Sequence, residues 1–137
     1  MVSNTWYADN NDGAILGPTP NNIIKIDENR LAIAVNWNNT VTFIDTEGHL
    51  LHEVEDVQNN RKLATDGEYV YVTAYNHDIM IGDYMEVFED GGFLAKISLD
   101  DYSVVAAIQV GWEPEGVVYY GGKLFVANTG GYSFQEA

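Results

Sequence analysis

ENRLAIAVN (residues 28–36), GEYVYVTAY (67–75) and GGKLFVANT (121–129) are three versions of one strand ending. Leu31 to Val70 is 39 residues and Val70 to Leu124 is 54, which returns to 39 once about 15 residues of polar insertion after Tyr75 are set aside. A period near 40 with four short strands in each unit is the spacing of β-propeller blades. Leu31–Val35 is apolar at every position rather than at alternate ones. Such a strand is expected to be buried on both faces, which requires another layer on each side. A helical reading fails on run length, on β-branched and aromatic content, and on the flanking turn residues.

Outward from these runs, the pattern predicts an all-β chain, a β-propeller fragment of about two and a half four-stranded antiparallel blades. Residues 1–21, rich in Asn, Asp, Gly and Pro, read as a lead-in loop or the end of a preceding blade. Residues 22–58 read as a blade, with strands over 23–26, 30–37, 41–44 and 49–54 divided by the turns DEN, NNT and DTEG. Residues 59–111 repeat it with strands over 62–65, 69–75, 93–98 and 103–110, and carry an acidic insertion over 76–92. Residues 112–137 supply two more strands, 116–120 and 123–128, and read as a partial blade. Closed rings need at least about four blades, so the chain reads as part of a ring. An apolar blade face of about 500 Å² left in water forfeits on the order of 10 kcal/mol at about 25 cal/mol per Å². The expectation is therefore self-association through the open blade faces, or the remaining blades of a longer chain.

The formal net charge is −15, from 21 Asp and Glu against 6 Lys and Arg. That density repels phosphate backbones and anionic lipid, which argues against nucleic acid and membrane-surface binding. There is no cysteine, hence no thiolate metal site. No run approaches the roughly 18 apolar residues of a membrane helix, and no membrane insertion is expected within these residues.

At VGWEPEGVVYYGGKLFVANTGGY, residues 110–132, the chain resembles the YVTN-repeat β-propellers, a family of bacterial surface-layer-type and envelope proteins. The residues that carry the resemblance are Val110, Gly111, Pro114, Gly116, Gly121, Leu124, Phe125, Val126, Ala127 and Asn128. Tyr71, Val72 and Thr73 match in the second unit, where Ala74 replaces the family's Asn; Ala32, Ile33, Ala34 and Val35 depart further. The resemblance implies a ring of about seven blades. It also implies a cell-envelope, periplasmic or extracellular location and a non-catalytic binding or scaffold role. The alternative is a propeller-type enzyme, a lactonase or hydrolase with a divalent metal held in the central funnel by Glu115, Asn128 and equivalents. Within the motif, Pro114 stiffens the approach to an innermost strand, Gly116 permits a turn close to the axis, and Asn128 serves the following turn.

His49 and His52, three apart in one predicted strand, point to opposite faces and do not share a metal. The insertion, with His77, Asp78, Asp83, Glu86, Glu89 and Asp90, reads as a solvated loop. A calcium site is its alternative, with Asp78, Asp83 and Glu86 as candidate ligands, because calcium takes six to eight oxygens. No other cofactor is expected. No nucleophile elbow surrounds any serine, and Glu113 and Glu115 are the carboxylates best placed for hydrolysis, with loop charge as the structural reading. Trp37, Tyr75, Trp112 and Tyr132 stand at strand ends, where rings either stack on a glycan or peptide or fill space between blades. Arg61 and Lys62 either hold an anion or pair with Glu115. The candidate binding residues are thus Trp37, Arg61, Tyr75, Trp112, Glu115 and Asn128, for a small-molecule, glycan or peptide ligand.

Overall fold

The computed structural model describes residues 5–130. The chain is all-β, with four antiparallel sheets and no closed barrel among these residues. Strands β1 (Pro20–Lys25), β2 (Arg30–Val35), β3 (Thr40–Asp45) and β4 (Leu50–Val54) form a meander in sequence order. Next come β5 (Asn60–Thr65), β6 (Tyr69–Ala74), a separate hairpin of β7 (Asp78–Ile81) and β8 (Tyr84–Val87), then β9 (Phe93–Ser98) and β10 (Val104–Gln109). The second four-stranded sheet runs β5-β6-β9-β10, so the hairpin is inserted between its second and third strands without disturbing their pairing. β11 (Pro114–Tyr120) and β12 (Lys123–Asn128) make the last hairpin.

Aspartates set the turns. Asp27 Oδ1 accepts from the Asn29 N–H, Asp45 Oδ1 from Glu47 and His49, Asp66 Oδ1 from Glu68 and Tyr69, and Asp101 Oδ1 from Ser103. A carboxylate that accepts from backbone two residues onward closes a turn side chain to main chain, so the DEN, DTEG, DGE and DDY tracts reverse the strands where the sequence places them.

Two sequence expectations require correction. Residues 76–92 form a hairpin rather than a solvated loop: the alternating runs DIMI and YMEV pair in register, and Ile79 and Phe88 are buried beneath them. The lead-in contains a short helix, α1 (Trp6–Asn10), and β1 begins at Pro20.

The sheets stack face on face. Ala32, Ala34, Val41, Phe43 and Val54 of the first sheet share a core with Leu63, Val70, Val72, Phe93, Ala95 and Ile97 of the second. The alternate residues of the second sheet, Ala64, Tyr71 and Leu94, pack against Val117, Leu124 and Val126 of β11–β12. On the far side of the first sheet, Ile33, Val35 and Ile44 are covered by Tyr7 and Leu16 from the N-terminal segment. β2 and β6 therefore have a layer on each side, as their unbroken apolar sequence requires.

Polar groups enter this core in two ways. Asn60 is fully buried, and its amide donates to the carbonyls of Val35 (3.3 Å), Thr40 (3.1 Å) and Val57 (3.0 Å), tying the first sheet to the start of β5. Thr42 is also buried, but its hydroxyl has no protein partner. Losing a buried donor that serves several carbonyls costs roughly 1–3 kcal/mol, whereas replacing an unpaired hydroxyl by a methyl is neutral or favourable. Urea unfolding should accordingly show Asn60→Ala destabilised by about 2–3 kcal/mol and Thr42→Val equal to or more stable than the parent; a destabilised Thr42→Val would contradict this packing.

Candidate functional site

Strand pairing sorts the loops onto two rims. Pro20 pairs with Val35, Asn60 with Ala74 and Pro114 with Asn128, so the starts of β1, β5 and β11 share a rim with the ends of β2, β6 and β12. Trp37, Arg61, Tyr75, Trp112, Glu115 and Asn128 all lie at or just beyond these positions. The opposite rim carries the aspartate turns and a polar recess lined by Arg30, Glu68, Ser98 and Asp100. There, Arg30 is engaged by Asp27, the Leu99 carbonyl and the Tyr102 hydroxyl.

Three of the six candidates meet. Arg61 Nε and Nη2 each lie 2.9 Å from Glu115 Oε2, and the Tyr75 hydroxyl donates to the same oxygen. The Arg61 guanidinium carbon also sits 4.8 Å from the centre of the Tyr75 ring. A cation held between a carboxylate and an aromatic face is already neutralised and stacked. The pairing of Arg61 with Glu115 is thus the one formed. Lys62 reaches the Asn21 carbonyl at 3.4 Å instead.

The rest are dispersed. Trp37 is 75% exposed and stands alone beyond β2. Trp112 meets His77 edge-on at 5.4 Å, and the His77 Nδ1–H donates to the Gly91 carbonyl at 2.8 Å. Asn128 packs beneath Gly111, where an added Cβ would come within 2.7 Å of the Asn128 Cγ. This contact explains the Gly and Asn of the last unit as a packed pair, and the expectation for Gly116 is corrected. Gly116 has open space around it and no positive φ, so it does not act through backbone permissiveness, and Asn128, also without a positive φ, packs on Gly111. Tyr132 lies outside the described residues.

The candidate calcium ligands do not converge. Asp78 pairs across the hairpin with Val87 and Ile79 with Glu86, which puts Asp78 and Glu86 on opposite faces, and Asp83 occupies the tip. Among the described residues no three His, Asp or Glu side chains gather into a metal-ligating group.

The Arg61–Glu115 pair is one step of a relay along the first strands, whose other step, from Asn21, was not anticipated from the sequence. Each of β1, β5 and β11 carries a register shift directly after its first residue: at Asn21, at Arg61–Lys62 and at Glu115–Gly116. A bulge re-aims the side chain that it contains. Here Asn21 donates to the Arg61 carbonyl at 2.9 Å, and Arg61 in turn reaches Glu115. Neighbouring bonds reinforce both steps: Leu63 N–H to Asn22 Oδ1 at 3.0 Å, and the Thr73 hydroxyl to the Glu115 carbonyl at 2.8 Å. For the Asn21 step the signal in the sequence was the 40-residue interval between Asn21 and Arg61.

No protein-family model matches the chain, and no curated protein matches it significantly.

Burial, together with the Glu115 carboxylate, pushes the Tyr75 phenol from 10.0 up to about 12, against the opposing pull of Arg61. Below pH 10 the folded and unfolded chains both keep this proton. Between 10 and 12 the unfolded chain releases it first, so stability falls as pH rises through that window. Phenolate absorbance, with Tyr75→Phe to assign the step, should place Tyr75 near 12, and Glu115→Gln should move it down toward 10. A Tyr75 step already at 10 in the parent protein would show that the cluster does not form.

Proposed function

We propose that the chain is a section of a YVTN-like β-propeller, two blades and part of a third, that acts as a non-catalytic binding scaffold. The observation that carries this reading is the relay. Bulges lie at equivalent places in β1, β5 and β11, and two contacts join them from one unit to the next, Asn21 to Arg61 and Arg61 to Glu115. A contact repeated from unit to unit at one edge of a stack of twisted sheets is what a common hub produces.

The function follows from what that hub offers. Glu115 is bound by Arg61 and Tyr75 rather than held ready for a metal or a proton transfer, which disfavours the hydrolase alternative. The rim above it carries exposed Trp37 and the half-buried Trp112, groups suited to stacking on a glycan or a peptide side chain. The envelope or exported setting rests on the resemblance alone.

The blade reading also assigns the open side of β11–β12. Val118, Tyr120 and Phe125 are exposed on the face turned away from the second sheet, and a cavity of about 220 Å³ lined by Tyr71, Leu94, Lys96, Ile108 and Leu124 opens beside β12. In a propeller the far face is covered by the next sheet of the same kind, and the cavity by the remaining strands of the third blade, supplied by a longer chain or by a second copy. Size-exclusion chromatography with light scattering on this chain should therefore report association at micromolar concentration, and Val118→Asp with Phe125→Asp should abolish it. A parent chain that stays monomeric and soluble would contradict closure by association.

A further inference from the structure

The β7–β8 hairpin has no counterpart in the first unit, and its two faces differ. Ile79 and the following Phe88 are buried and anchor it to the main core. The outer face pairs Met80 with Met85 and Asp78 with Val87. Met80 is 42%, Met85 49% and Val87 60% exposed, a continuous apolar strip on an element that the meander does not need. Methionine side chains are flexible and polarisable, and they suit a surface that must adapt to the side chains of a partner.

The charges around the strip select its occupant. Asp78 lies on the strip face, Asp83 at the tip, and Glu89 and Asp90 are exposed just beyond β8. No Lys or Arg occurs between Lys62 and Lys96. At this face a second copy would set the same acidic rim against itself, and anionic lipid or nucleic acid is repelled likewise. We infer that the outer face of the β7–β8 hairpin is a docking surface for a cationic polypeptide segment whose own apolar side chains cover Met80, Met85 and Val87. Attraction at the rim speeds and orients the encounter, and burial of the strip holds the complex. The inference uses only the hairpin and stands whether or not the sheets belong to a propeller.

The chain has three methionines, Met1, Met80 and Met85, so methyl-labelled methionine gives a direct readout with Met1 as internal reference. The probes are a synthetic peptide of alternating Lys and Leu, a Lys–Ser peptide with charge alone, and a Glu–Leu peptide with apolar groups alone. The Lys–Leu peptide should shift the Met80 and Met85 signals saturably and leave Met1 in place. Binding should weaken by about tenfold or more in Met80→Ser with Met85→Ser, and with either control peptide. Both substitutions are at exposed sites, and unchanged circular dichroism verifies that the variant is folded. Equal shifts from the Lys–Ser peptide, Lys–Leu binding that leaves both signals unmoved, or undiminished binding by the double variant would overturn the inference. So would shifts on raising protein concentration alone, which would assign the strip to a second copy, or on adding zwitterionic vesicles, which would assign it to lipid.

Discussion

The structure depends on the burial of β2 and β6 on both faces at once. A central antiparallel strand satisfies its backbone through its two sheet neighbours, but its side chains alternate, so both sets can be dry only if other layers lie above and below. Ala32 and Ala34 face the second sheet while Ile33 and Val35 face the N-terminal segment; Val70 and Val72 face the first sheet while Tyr71 faces β11–β12. Small alanines on the shared face let Phe43 and Phe93 fill the space between the sheets. Stacking is thus a requirement of these strands, and the other features of the chain serve it.

Polar side chains fix the geometry of the stack, because apolar faces alone permit sliding. Asn60 and Asn36 make a buried amide network between the sheets, with Asn36 Nδ2 donating to the Asn60 carbonyl at 2.6 Å and to Asn59 Oδ1 at 3.1 Å. The donors of these amides are all engaged, while Asn60 Oδ1 is buried without a protein partner, so the network specifies one register more than it adds to stability. The Arg61, Tyr75 and Glu115 cluster does the same between the second sheet and β11. The Arg61–Glu115 pair neutralises one cation with one carboxylate, so the net charge of −15 stays with the rest of the chain, which bears on the kind of partner its exposed hairpin can accept.

The sequence made some of this legible and hid the rest for physical reasons. The second strands were plain because nearly every side chain in them is apolar, and the turns were plain because Asp and Asn close them chemically. The pairing of Arg61 with Glu115 could be anticipated because so few cations are present. The hairpin at 78–87 was obscured by its charge: the alternation in DIMI and YMEV was present, but the surrounding Asp and Glu made the segment resemble solvated loop. Gly111 and Asn128 could be quoted as a pattern, yet their mutual packing becomes visible only when both ends of the last unit are seen together. The roles of Asn21, Asn36 and Asn60 left no sign in the sequence, since an Asn that seals an interface between sheets has no local mark distinguishing it from an Asn in a loop.

The claim most worth testing is that neighbouring residues of one strand look into different layers. Methyl nuclear Overhauser measurements on a side-chain-labelled sample address it directly. Val72 shares one core with Ala34 and Val41, and Leu94 shares another with Val117, so cross-peaks should join Val72 to methyls of the first sheet and Leu94 to methyls of β11–β12, with none joining Ala34 to Val117. Contacts from Ala34 to both Val72 and Val117 would mean one mixed core instead of a stack, and would contradict the account.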